Sequence, residues 1–140
     1  MKFWDASAII PLLIEEKTSS RVRDLLTGDS EVFVWTLTPV ECFSALFRRH
    51  REKPVPVEII SQFRKRLAHM EKAWIEITQV ELVKRRAERI LASHRLRAAD
   101  AMQLAAALVA FTDQPENGEF ITFDETLAGA AALEGFVVLP

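Results

Sequence analysis

LRAADAMQLAAALVAF, Leu96 to Phe111, reads as a buried helix interrupted by one carboxylate. At about 3.6 residues per turn, Asp100, Gln103, Leu104, Ala107, Leu108 and Phe111 share a face, which puts Asp100 in line with side chains that seek a core. A lone charge there is costly. Either Asp100 caps a helix that starts later than the pattern suggests, or something positive stands opposite it, and the surrounding chain bears on the choice.

On the N-terminal side, Glu81 to Ser93 has the pattern of an amphipathic helix, with Leu82, Ala87, Ile90 and Leu91 inward and Lys84, Arg85, Arg86 and Arg89 largely outward. Before it, Trp74 to Ile77 alternates as a strand does, and Ile59, Ile60, Phe63 and Leu67 give a helix over Val57 to Met70. Thr38 and Pro39 supply an N-cap and a first-turn proline for PVECFSALFRRHR, with Val40, Phe43 and Phe47 on the expected inward face. VFVW, Val32 to Trp35, is a strand. A helix capped by Ser19 or Ser20 precedes it and stops at Gly28. The chain opens with an apolar run, Lys2 to Trp4, that turns at Asp5 into a helical stretch. After Phe111 come a polar loop, a strand over Phe120 to Phe123, a helix begun by Asp124 and a last strand, Val137 to Leu139. Strands separated by helices imply an α/β fold with a central, mostly parallel sheet and helices on both faces. With no repeat or linker, residues 1–140 are expected to form a single domain.

Hydrophobic residues make up 49% and charged ones 27%, a folded and not a disordered composition. Cys42 is the only cysteine, which excludes an intrachain disulfide and a cysteine-based zinc site and suits a small buried hydrophobe. No secretory signal is visible, and the longest apolar run is far shorter than the roughly 20 residues a bilayer needs. A cytoplasmic location is the expectation. The formal net charge of −2 hides an asymmetry: residues 1–47 carry −3, residues 48–97 carry +8 and residues 98–140 carry −7. A basic middle between acidic ends suits a polyanion meeting a cation site, although solvated helix faces give similar runs.

Four acids fall at element junctions: Asp5 after the first strand, Glu41 in the turn after the second, Asp100 in the first turn of its helix, and Asp124 after FITF. The carboxyl ends of strands in an open α/β sheet form a common edge where ligands bind. Each acid alone is well explained by capping and the helix dipole. Asp100 on an apolar face, and Glu41 followed by the small Ser44 and Ala45, weaken that explanation. Converging carboxylates repel unless a cation compensates, and an oxygen-only ligand set suits Mg²⁺ or Mn²⁺ and not zinc. Such a site beside basic residues points to metal-assisted phosphodiester hydrolysis. His50, His69 and His94 lack the context of a triad base and are expected at the surface, and there is no Gly-rich phosphate loop.

The opening FWDASAIIPLLIEE resembles the start of a PIN domain, in which a strand delivers an Asp followed two positions later by Ser or Thr. TPVECFSALFRR is similar to the second motif of that family, HRLRAADAMQLAAAL to the third and FITFDETLAGAAALEGFVVL to the last. The resemblance spans nearly the whole chain, and its length is that of the stand-alone VapC-like toxins of toxin–antitoxin pairs. It implies a single PIN-like domain and a ribonuclease. Asp5, Glu41, Asp100 and Asp124 would form its Mg²⁺ or Mn²⁺ pocket, with Ser7 and Thr122 as supporting hydroxyls. It also implies a homodimer and a VapB-like antitoxin whose tail blocks the pocket. Arg97, one turn before Asp100, is the leading candidate to bind the RNA backbone among Arg48, Arg49, Arg51, Arg85, Arg86 and Arg89. A catalytically silent PIN-like binding module and a DNA-directed nuclease remain alternatives, since nothing in charge or spacing reads a 2′-hydroxyl.

Overall fold

Each of the first four strands is followed by a helix and not by a hairpin turn, so no strand has an antiparallel neighbour within reach, and the whole sheet is parallel. In the computed structural model, which describes residues 1–140, the chain runs β1 (Lys2–Trp4), α1 (Ala6–Leu13), α2 (Ser19–Thr27), β2 (Val32–Trp35), α3 (Thr38–Glu52) and α4 (Val57–Met70). It continues through β3 (Ile75–Ile77), α5 (Val80–Ser93), α6 (Ala98–Ala110), a short 3-10 turn (Pro115–Asn117), β4 (Glu119–Ile121), α7 (Glu125–Leu133) and β5 (Val137–Leu139). The strand order is β3-β2-β1-β4-β5. The chain therefore builds outward from β1 in one direction, returns through α5 and α6, and builds outward in the other. That reversal lies between β1 and β4, where an open α/β sheet has its crevice.

Alternation along the strands sorts side chains into two cores. Phe3, Trp35 and Phe120 point to the layer of α5, α6 and α7, whereas Trp4, Val34 and Ile121 point to that of α1 to α4. Register keeps the layers aligned: Phe3 lies opposite both Phe33 and Phe120, and its ring stacks on Phe120 with centroids 5.4 Å apart. Cys42 is fully buried in the second core, as expected, and burial pushes its thiol pKa far up. No helix is long and apolar enough to cross a membrane.

Two helices are rotated from their expected faces. In α3 the buried side chains are Thr38, Cys42, Ala45 and Leu46, while Val40 is 62% exposed. Phe43 and Phe47 are half-buried along the flank facing α4, with the Arg64 guanidinium 5.0 and 5.9 Å from their ring centroids. The small residues set the phase, because they let α3 approach its neighbours, and the aromatics then lie along the edge. In α5, Val83, Ala87 and Ile90 are buried but Leu82 and Leu91 are exposed. The Ala-rich face of α6 admits close approach only by the strip centred on Ala87.

Caps differ in detail too. Thr38 lies inside its helix and not at the N-cap position, and its hydroxyl accepts from Gln103. Ser19 Oγ donates to Pro11 O at 2.6 Å and accepts from Glu16 N at 2.8 Å, tying the α1–α2 link in place of capping α2.

Candidate active site

Asp5, Glu41, Asp100 and Asp124 all line one cavity of about 680 Å³ at the carboxyl edge of the sheet. Four different helices deliver them. Asp5 follows β1 and is the N-cap of α1, Asp124 is the N-cap of α7, and Glu41 and Asp100 occupy the first turns of α3 and α6.

Asp5 is 4% exposed, and its Oδ2 accepts three hydrogen bonds: from Ser7 N at 3.1 Å, Ser7 Oγ at 2.5 Å and Thr122 Oγ1 at 3.0 Å. Each hydroxyl in turn accepts a backbone N–H, Ser7 Oγ from Phe123 at 2.9 Å and Thr122 Oγ1 from Asp124 at 3.1 Å. Both hydroxyl protons are thereby directed at Asp5. Burial raises the Asp5 pKa, and the hydrogen bonds from Ser7 and Thr122 oppose that rise. All three contacts fall on Oδ2, which leaves Oδ1 for another partner.

Glu41 is pushed up to about 7, first by burial and then by the charges of Asp5 and Asp100, while a hydrogen bond from Gln103 Nε2 to its Oε1 at 3.0 Å opposes the rise. Asp100 is also raised, by burial and then by Asp124, with Arg97 opposing. It is not the N-cap of α6, a position taken by Arg97. Asp124 does cap: its Oδ1 accepts from Leu127 N at 2.8 Å. For Asp5 and Asp124, capping and membership of the cluster are thus compatible, because a carboxylate has a second oxygen.

The donor set is all oxygen, and its mutual repulsion is what a divalent cation compensates, so these residues fit Mg²⁺ or Mn²⁺ in kind. They are not drawn together as ligands: no group of three or more His, Cys, Asp or Glu stands close enough to hold an ion.

Three arginines line the same cavity, Arg48 from α3 and Arg95 and Arg97 from the α5–α6 connection, and none forms an ion pair. Arg49, Arg86 and Arg89 are instead paired with Glu16, Asp113 and Glu134. Arg95 escaped notice in the sequence. The signal was the alternation Arg95-Leu96-Arg97, since Leu96 packs on the core and both flanking arginines are left outside. Gln103 escaped as well, although a polar residue on an otherwise apolar helix face marks it. The histidines are outside the cavity, yet two are less idle than expected: His50 Nδ1 accepts from Val55 N at 2.9 Å, and the half-buried His94 lies 2.8 Å from Glu134.

A family model described as PIN domain matches residues 2–133. Among solved structures, the chain is similar to a toxin–antitoxin complex from Klebsiella pneumoniae, with TM-score 0.65 and 17% identity over 100% of this chain and 97% of that one. It is also similar to FitAcB from Neisseria gonorrhoeae, with TM-score 0.57, 17% identity and the same coverage of both chains. No curated protein matches it significantly.

Proposed function

The chain belongs to the PIN-domain family, and from that premise we propose that it is a Mg²⁺- or Mn²⁺-dependent endoribonuclease, the toxin of a toxin–antitoxin pair. The observation that carries this reading is the meeting of Asp5, Glu41, Asp100 and Asp124 in a single cavity beside three unpaired arginines. Both similar structures align with the full chain, and the one from Klebsiella pneumoniae is a toxin–antitoxin complex. The partners that follow are an RNA substrate, a VapB-like antitoxin and a second copy of the chain, working in the cytoplasm.

The residues divide the work. Asp5, Glu41, Asp100 and Asp124 would hold the ion, which when bound supplies Lewis acidity for activating a water and for the charge on phosphorus. Ser7 and Thr122 fix the Asp5 carboxylate, so that Oδ1 is presented without rotational freedom. Arg97, with Arg48 and Arg95, offers guanidinium groups to the phosphates flanking the scissile one, a bidentate geometry that lysine would not supply.

Sequencing the ends of total RNA after brief expression tests this reading. Recurrent new ends that vanish with Asp100→Asn are expected. An unchanged end profile, with purified protein cutting DNA of the same sequence, would make it a DNA-directed nuclease, and inertness toward both would make it a binding module.

A further inference from the structure

Gln103 is fully buried on α6, one turn beyond Asp100, and its two Nε2 protons go to Glu41 Oε1 at 3.0 Å and Thr38 Oγ1 at 3.2 Å. Its own carbonyl oxygen, Oε1, is buried and accepts nothing. An unmet buried acceptor is a cost to the fold. Turned over, the amide would set Oε1 against a carboxylate oxygen, so Glu41 dictates the orientation and the unmet acceptor results from it. The neighbours on this face are Leu104, Ala107 and Leu108, all buried and apolar. An apolar residue would avoid the unmet acceptor but would leave the Glu41 carboxylate and the buried Thr38 hydroxyl without their donor. What the amide adds is a donor that reaches from α6 to the acid of α3, with the start of α3 secured by the same nitrogen.

We infer that Gln103 is a positioning residue: it locks the Glu41 carboxylate in the cavity through Oε1 and leaves Oε2 to serve as the ligand oxygen for a divalent cation. Ser7 and Thr122 do the corresponding work for Asp5. Each of these two acids therefore has one oxygen pinned by the protein. Groups that orient a ligand from behind in this way are worth about 10–100-fold in metal affinity or activity.

The inference rests on the metal-dependent nuclease reading, and calorimetric titration of the full chain with Mn²⁺ separates the two. Gln103→Met, close in shape but without the donor, is expected to weaken Mn²⁺ binding about 10–100-fold. Its kcat on RNA should fall in parallel, while KM stays within about twofold because Gln103 does not line the cavity. Should this variant fail to fold in a metal-free melt, Gln103→Asn keeps a buried amide and withdraws the donor by one methylene, and it should weaken Mn²⁺ binding in the same direction. Wild-type affinity in the folded variant overturns the inference alone. A wild-type chain that takes up no Mn²⁺ overturns both it and the metal-dependent reading.

Discussion

Asp100 lies in the first turn of α6 without capping it, and substitution tests whether its charge serves as a ligand. Asp100→Asn keeps the shape but removes a charge that burial and Asp124 already disfavour, so the metal-free protein should melt at the same temperature or higher while cleavage is lost. Retained cleavage would leave Asp100 with no more than a favourable interaction with the helix dipole. Glu41 supplies a pH signature. Its folded pKa is raised to about 7 from 4.5, so between those values the folded state holds a proton that the unfolded state has lost. Metal-free stability from Glu41 should therefore be fully present at pH 4.5 and below and be lost as the pH rises through about 7. Discounted for the partly open cavity, the loss is on the order of 2 kcal/mol. Glu41→Gln should flatten that slope in urea denaturation measured across the range, and an unchanged slope would place its origin elsewhere.

At the junctions between elements, the two hydroxyls on Asp5 do more than orient it. Ser7 Oγ accepts from Phe123 N and Thr122 Oγ1 donates to Asp5, and these two bonds staple the β1–α1 turn to the loop between β4 and α7. Ser7→Ala should cost about 1–3 kcal/mol by leaving a buried carboxylate under-bonded, and it should lower cleavage as well, because Asp5 gains freedom. Loss of stability with full activity would confine Ser7 to a structural part. These junctions were legible in the sequence because the acids fall where elements begin, Asp5 and Asp124 after strands as caps and Glu41 and Asp100 in first helical turns. Helix phase was less so. The apolar residues of α3 and α5 allow more than one inward face, and small residues such as Ala45 and Ala87 decide by permitting close approach, which a pattern weighted toward large side chains overlooks. Gln103 and Arg95 were hidden for another reason. Their importance comes from a partner far away in the chain, Glu41 for one and the shared cavity for the other.

Charge is unevenly distributed along the chain, and folding brings some of it into one cavity: the acidic ends supply Asp5, Glu41, Asp100 and Asp124, while the basic middle supplies Arg48, Arg95 and Arg97. Binding of RNA by a metal-free, cleavage-deficient chain should weaken as salt rises, through counterion release. Arg97→Ala should weaken it and shallow the salt slope, whereas Arg86→Ala, which breaks a pair with Asp113, should change neither. Equal losses from both would assign binding to diffuse charge. The central claim, that four carboxylates from four helices hold a divalent cation for phosphodiester hydrolysis, meets its most direct test in one assay. Purified wild type and Asp100→Asn, both confirmed folded, are incubated with single-stranded RNA in excess EDTA and then with Mg²⁺, Mn²⁺ or Zn²⁺. Cleavage by the wild type only, supported by Mg²⁺ or Mn²⁺, poorly by Zn²⁺ and not at all in EDTA, is the expected result. Full cleavage in EDTA, or retained cleavage by Asp100→Asn, would contradict it.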